Sequence, residues 1–419
     1  MSTGRRWWTL LRAPVLGLAA AVLVAVGAGL VMGHAGLWRT TIDERRGQDF
    51  RIFLTSVRHA REGRSLYTPV YVRHRTTGEQ VTGPPNLNLP QTMLPLVPLA
   101  GLPVRTALAV WVGAGLLALL AATRLALRTL AWRRMPLLAS LALVVYLLAW
   151  APAAAFSLTA QISLLLMLPV VLGWLAARRG HQHAAGVWMG LAAAVKPFLL
   201  LFAPYWILRR QWRALAAASV SGALFVLAGV IVFGPQAYVE WLRQLPDVSW
   251  GGHYLNASWH ALVQRAFGLS DYAPVADWPR VVALLGLAGA IAIGIVTLWL
   301  TTRGTNAGSH SAARADRDWS LLLLASLLMS PLGWSYYLWL ALWPVAAVIA
   351  HAEPWRRRAW RDLVLVAGLA GWLWWGRMTY WGQPHPAATI LCASMYTWTL
   401  LAMWGWLCLE MRSDDEVGA

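Results

Sequence analysis

Lysine is all but missing from this chain, with one, Lys196, against 34 arginines in 419 residues. Charge of any sign is scarce, at 12% of residues, and the long apolar runs contain no Asp or Glu at all. Carriers driven by protons or sodium usually place acids inside their spans, so this absence speaks against them. Cysteine is limited to Cys392 and Cys408. In one helix they would stand about 24 Å apart at 1.5 Å per residue, beyond disulfide reach, and no redox compartment follows. There is also no P-loop, no G-x-G-x-x-G after a strand and no H-E-x-x-H helix, which removes the common phosphate cradles and that zinc motif.

What the chain does have is apolar bulk: 58% hydrophobic residues, 28 tryptophans and a mean hydropathy of +0.53. Runs of about 20 apolar residues, the length that crosses a hydrocarbon core of about 30 Å, recur from Pro14–His34 through to Ala387–Leu409. The expected fold is an all-α integral membrane protein forming a single polytopic domain over 1–419. The net charge of +18 comes from arginine clusters between apolar runs, so it reports topology and implies no nucleic acid.

Arg5, Arg6 and Arg12 precede the first run, which reads as an uncleaved span with its start in the cytoplasm. That puts a first outer loop at 37–105. Spans follow at 106–123, 136–151 and 159–177, with arginines such as Arg124, Arg128, Arg178 and Arg179 at cytoplasmic ends. The run 184–208 is either one span kinked at Pro197 or two half-length helices turning at Lys196-Pro197. The hairpin leaves 11 of the 15 arginines after residue 208 inside and is favoured. A similar hairpin is expected at 319–350 around Ser330-Pro331-Leu332-Gly333, giving about 12 membrane segments, a second outer loop at 235–279 and both termini in the cytoplasm.

Within the first loop, Phe50, Phe53, Leu54 and Val57 recur at helical spacing behind Asp49, predicting an amphipathic helix on the membrane surface. Asp49 is then either the N-cap of that helix or a catalytic carboxylate. Lys196 lies where burying a charge costs roughly 2.5 to 3.5 kcal/mol, and is either a ligand for a lipid-linked phosphate or a lysine snorkelling from a hairpin tip. Arg265 is a second phosphate ligand or a headgroup anchor. Asp316-Arg317-Asp318 has the spacing of a metal and nucleotide-sugar site, but its cytoplasmic loop, 303–318, reads as a solvated end.

Asp49-Phe50, Gly63, Leu66-Tyr67, and the proline-spaced Leu89-Pro90, Pro95 and Pro98 resemble the first outer loop of glycosyltransferase family 87. These are polyprenyl-phosphate-mannose-dependent mannosyltransferases of the GT-C fold group. The resemblance continues in order through Gln161, Gly186, Gly190, Lys196-Pro197, Gly234, Trp241, Asn256-Ala257-Ser258, Arg265, Ser330-Pro331 and Trp334. It departs at Ala160, where a glycine is common, and at Tyr336-Tyr337, where histidines often stand.

The resemblance implies a GT-C-like helical bundle with half-helix hairpins. It implies transfer of a hexose, mannose by family likeness, with inversion, from a polyprenyl-phosphate donor to a glycan or glycolipid acceptor. The site would face the outside of a bacterial inner membrane, without metal or cofactor. In that scheme Asp49 is the base, Lys196 and Arg265 hold the donor phosphate, and Gln161, Asn256, Tyr336 and Tyr337 line the substrates. Two other classes stay open: a carrier or flippase for a lipid-linked anion, and an O-antigen ligase or polymerase.

Overall fold

The computed structural model describes residues 48–73, 80–82, 86–130, 150–247, 251–268, 270, 274–303, 311–351, 364, 368–369 and 385–417. The expected span at 14–34, and that at 136–151 but for its last two residues, lie outside the described residues. Their regular elements are helical apart from one short antiparallel hairpin, β1 (Tyr71–Arg73) with β2 (Gln80–Thr82).

The chain enters through α1 (Gln48–Arg61), whose Phe50, Phe53, Leu54 and Val57 are all buried. They pack with Met93, Leu96, Leu108 and Trp111, at on the order of 1.5 to 3 kcal/mol for each large side chain. The predicted amphipathic helix is present, but protein covers its apolar face, which corrects its expected place on the lipid surface. Arg58 pins the helix by donating to the carbonyls of Ala100 (3.0 Å) and Leu102 (2.6 Å). Between α1 and the first long helix runs a 3₁₀ segment, Pro90–Leu99. Its prolines at 90, 95 and 98 lack the N–H groups that an α-helical ladder needs.

Then come α2 (Val104–Thr129), α3 (Ala151–Thr159) and α4 (Ser163–Arg178). The connection expected at 151–158 is thus a helix, and the predicted span 159–177 begins only at Ser163. Next are α5 (Gln182–Val195), a 3₁₀ turn (Pro197–Leu201) running into α6 (Phe202–Leu208), and α7 (Trp212–Phe233). The predicted second loop holds α8 (Gln236–Gln244) and α9 (Trp259–Phe267). After α10 (Pro279–Thr302) and α11 (Ala312–Met329), a 3₁₀ turn (Ser335–Ala341) leads into α12 (Leu342–His351), and α13 (Met395–Val417) closes the described chain.

Among the described helices, α2, α7 and α10 are long and apolar enough to cross a membrane. They leave Leu117, Leu120, Leu224, Ile231, Leu287 and Ile295 exposed, as a lipid-facing surface requires. Shorter apolar pieces, 163–178, 197–208 and 335–350, pack against the core, the second leaving Leu200, Ile207 and Leu208 exposed.

The run 184–208 doubles back. Gly180 and Gln182 before it and Arg209 and Gln211 after it line one cavity, shared with Ser311 and Arg314. Its midpoint meets the 3₁₀ segment instead, where Gln91 and Thr92 donate to the carbonyls of Ala194 (2.7 Å) and Val195 (3.2 Å). Those carbonyls lose helical partners at the Lys196-Pro197 break, and the two side chains replace them. α5 and α7 consequently run parallel and in close contact. A Cβ at Gly186 would stand 2.1 Å from the Ala214 carbonyl oxygen, and one at Gly190 2.2 Å from that of Ala218. This is small-residue packing at four-residue spacing, as membrane helices use.

The second break, 330–334, is tied to the loop before α9. Ala257 N–H donates to Gly333 O and Ser335 N–H to Leu255 O, both at 2.8 Å. Gly333 is required there, since a Cβ would come 2.1 Å from Leu327 O.

Asp316 and Asp318 are not solvated. Ser311 caps α11 by accepting from Arg314 N–H, so the helix begins before them and both are buried. Asp316 pairs with Arg178 and accepts from Trp174 Nε1, while Asp318 accepts from Tyr205 OH and lies 3.6 Å from Arg314. The expected solvated end at 303–318 is corrected on this point. Lys196 is also not the sole interior charge, because α11 extends the predicted span beginning at Trp319 by two turns.

Candidate active site

Six side chains from five parts of the chain, Asp49, Asn88, Gln161, Lys196, Tyr336 and Tyr337, meet at the end of the bundle where the 184–208 hairpin turns. Asp49 occupies the first turn of α1. Its Oδ2 accepts from Gln161 Nε2 at 2.5 Å, so the carboxylate is turned to a side chain from a distant turn of the chain. Gln161 is held by the break between α3 and α4, where Ala160 adopts left-handed backbone (φ +49). Trp111 Nε1 donates to the Ala160 carbonyl at 2.8 Å and fixes that turn. The glycine that the resemblance leads one to expect before this glutamine has a physical reason, because glycine takes positive φ without strain.

Lys196, at the hairpin tip, donates from Nζ to Asn88 Oδ1 at 2.6 Å and lies 5.1 Å from the centre of the Tyr337 ring. The Asn88 bond uses one of three ammonium donors. Tyr337 in turn meets Phe198 and Tyr336, with ring centres 5.3 and 4.8 Å apart, and Tyr336 stacks on Trp334. The charges of Asp49 and Lys196 act on each other, and that of Asp49 reaches Tyr336 and Tyr337. Burial pushes the Asp49 carboxyl up to about 6, against the lowering effects of the Gln161 hydrogen bond and the Lys196 charge. Gln161 Oε1 and Tyr337 OH are buried with no hydrogen-bond partner among the described residues, which leaves polar capacity on the wall.

Asn88 had no place in the sequence reading. It is set by Asn86, whose Oδ1 accepts from Asn88 N–H (3.1 Å), by Tyr67 OH on its carbonyl (2.7 Å), and by Trp241 Nε1 on the carbonyl of Leu87 (2.9 Å). The available signal was Asn86-Leu87-Asn88-Leu89-Pro90, an Asx turn entering a proline-started helix.

Two predicted site residues lie elsewhere. Arg265 is completely buried and its guanidinium is committed to protein. It donates to Ser394 Oγ (2.9 Å), Thr397 Oγ1 (2.9 Å) and the carbonyls of Gly252, His253 and Asn256. Five fixed donors suit a bracket of this kind, which corrects the phosphate-ligand expectation. Asn256 is equally internal. Its Nδ2 donates to the carbonyls of Gly251 and Pro331 and its Oδ1 accepts from Ser258 N–H, so it ties the loop before α9 and does not face the site.

The class so defined is a helical membrane enzyme with a carboxylate of near-neutral pKa opposite an ammonium. The family model described as "Glycosyltransferase family 87" matches residues 87–331, more than half of the chain, and the chain belongs to that family. It is a membrane glycosyltransferase.

The chain is 28% identical, over 79% of its length and 76% of the relative's, to a polyprenol-phosphate-mannose-dependent alpha-(1-2)-phosphatidylinositol mannoside mannosyltransferase of Mycobacterium tuberculosis. An alpha-(1->3)-arabinofuranosyltransferase of the same species is 28% identical over 60% of this chain and 55% of its own. A polyprenol-phosphate-mannose-dependent alpha-(1-2)-phosphatidylinositol pentamannoside mannosyltransferase of Mycolicibacterium smegmatis is 24% identical over 55% of each. No solved structure matches. Asp49, Tyr336 and Tyr337 fall outside the family match.

Proposed function

We propose that this enzyme moves mannose, with inversion, from a polyprenyl phosphate to an acceptor hydroxyl on a glycolipid or glycan, at the periplasmic side of a bacterial inner membrane. The observation that carries the reading is the meeting of Asp49 with Lys196. One is on a helix outside the spans and the other at the tip of a hairpin within them. The acceptor oxygen attacks the anomeric carbon as the bond from that carbon to the phosphate oxygen breaks. Its proton passes to Asp49, and the electron pair leaves with the phosphate. The leaving group already carries charge and needs neutralising, the role assigned to Lys196. Asn88 positions Lys196, Gln161 positions Asp49, and Tyr336 and Tyr337 form the sugar-facing wall.

Two relatives are named for a polyprenol-phosphate-mannose donor, which supports mannose, and the arabinofuranosyltransferase makes the pentose the competing sugar. The arginine distribution supports the outward orientation.

The test is sugar transfer from labelled polyprenyl-phosphate-mannose by membranes carrying wild type or Asp49→Asn, with host lipid extract as acceptor and the arabinofuranosyl donor run in parallel. Wild type should transfer mannose, and Asp49→Asn should lose about 10²- to 10⁴-fold. Transfer undiminished in Asp49→Asn would remove the base. Because only the carboxylate accepts the proton, the wild-type rate should fall about tenfold per pH unit below the Asp49 pKa of about 6 and level off above it. Movement of the intact lipid without sugar release would instead favour a flippase.

A further inference from the structure

The face opposite the site carries a second polar cavity that the transfer chemistry leaves unused. It is a groove of about 720 Å³ at the starts of α5 and α7, lined by His181, Gln182, His183, Arg210, Trp212 and Arg213, with no acidic side chain on its wall among the described residues. Because α5 and α7 run parallel, both helix N-termini open onto it, and neither begins with a side-chain cap. Their free N–H groups and dipoles add positive potential to that of the two arginines.

A second observation concerns the two turns that frame the groove. After α4 the chain reverses through Gly180 at φ +76, closed by His181 N–H to Ala176 O at 2.9 Å. After α6 it makes the same turn through Arg210 at φ +53, closed by Gln211 N–H to Trp206 O at 2.8 Å. Glycine is the unstrained residue at such a helix end, and one of the two turns uses it. The other tolerates strain to keep a guanidinium at the rim, the kind of outlier that points to a use for the side chain.

The surroundings say what sort of anion fits. Ile207 and Leu208, beside the rim, are 46% and 56% exposed, and Trp212 on the wall is 57% exposed. A ligand that satisfies both halves is an amphiphile with a phosphate in the groove and hydrocarbon along the apolar strip, and tryptophan favours that headgroup depth. We propose that this groove binds the headgroup phosphate of an anionic phospholipid from the leaflet facing it, fastening the base of the hairpin whose tip carries Lys196.

The test uses the full chain in neutral detergent, titrated with phosphatidylglycerol, phosphatidylcholine or inorganic phosphate, and read by thermal unfolding and by retained lipid in native mass spectrometry. Wild type should be stabilised by phosphatidylglycerol and retain it. Arg210→Gly relieves the turn, so the double variant Arg210→Gly/Arg213→Gln should be at least as stable as wild type without lipid. It should lose about tenfold or more in affinity for phosphatidylglycerol, as two charge-assisted contacts are removed. An unchanged phosphatidylglycerol response in the double variant would overturn the proposal. So would an equal response of wild type to inorganic phosphate or to phosphatidylcholine.

Discussion

The pocket around Lys196 and the bracket around Arg265 both place a cation among aromatic and amide groups, and they do opposite things with it. Lys196 is partly buried and donates to a single neutral oxygen, that of Asn88. Arg265 is fully buried and spends its fork on five oxygens from the loop before α9 and from the 394–397 segment. A cation with spare donors beside a carboxylate can meet a charged ligand, whereas one with its donors used up holds protein to protein. Substitutions should therefore separate the regions, with losses in stability from the bracket and losses in substrate binding from the pocket.

The largest stability effect is expected at the bracket. Arg265→Leu leaves several buried carbonyls without donors, at about 3 to 5 kcal/mol in sum, and should sharply reduce the folded fraction in size-exclusion chromatography. Whatever folds should keep a near-normal KM for donor. Normal folding with a lost donor affinity would break the comparison and restore Arg265 as a ligand.

Lys196→Ala should do the reverse. Loss of a charge-assisted contact to phosphate, worth roughly 1.5 to 3 kcal/mol, corresponds to an apparent donor affinity about 10- to 100-fold weaker. The melting temperature should move less than in the bracket variant, because one hydrogen bond, to Asn88 Oδ1, is lost in place of five. Asn88→Ala should follow in the same direction with a smaller shift, by letting the ammonium wander. A melting temperature that collapses in Lys196→Ala with donor KM unchanged would make Lys196 the structural cation.

Much of this contrast was legible in the sequence, and the rest was hidden for definable reasons. A lone lysine followed by proline inside an apolar run marked a break, because both residues interrupt the pattern locally, and the arginine count favoured the hairpin over a kinked span. The amphipathic spacing after Asp49 marked α1, but spacing cannot say whether lipid or protein covers an apolar face, and here protein does. The internal hydrogen bonding of Arg265 and Asn256 was not legible, since burial of a polar side chain is a long-range property. The groups that satisfy Arg265 lie as far along the chain as Ser394 and Thr397. Asp316 and Asp318 were read as loop because no large apolar side chain stands between Arg303 and Trp319, and the Ser311 cap that begins α11 is a weak local signal.

The smallest effect sharpens the comparison most, because it concerns strain held in the pocket region and not in the bracket. Ala160 sits at φ +49 between α3 and α4 and aims Gln161 at Asp49. An L-residue in left-handed backbone costs about 1 to 2 kcal/mol, of which glycine returns about 0.5 to 1 through its greater freedom in the unfolded chain. Ala160→Gly should therefore stabilise the protein by about 0.5 to 1 kcal/mol net, a rise of one to a few degrees. The Gln161–Asp49 contact should persist, so the acid limb of the pH profile should stay near 6. A stabilised variant with that limb displaced toward the ordinary carboxylate range would show that the strained turn tunes the base as well as placing it. A destabilised variant would mean that the buried Ala160 methyl contributes more packing than the backbone costs.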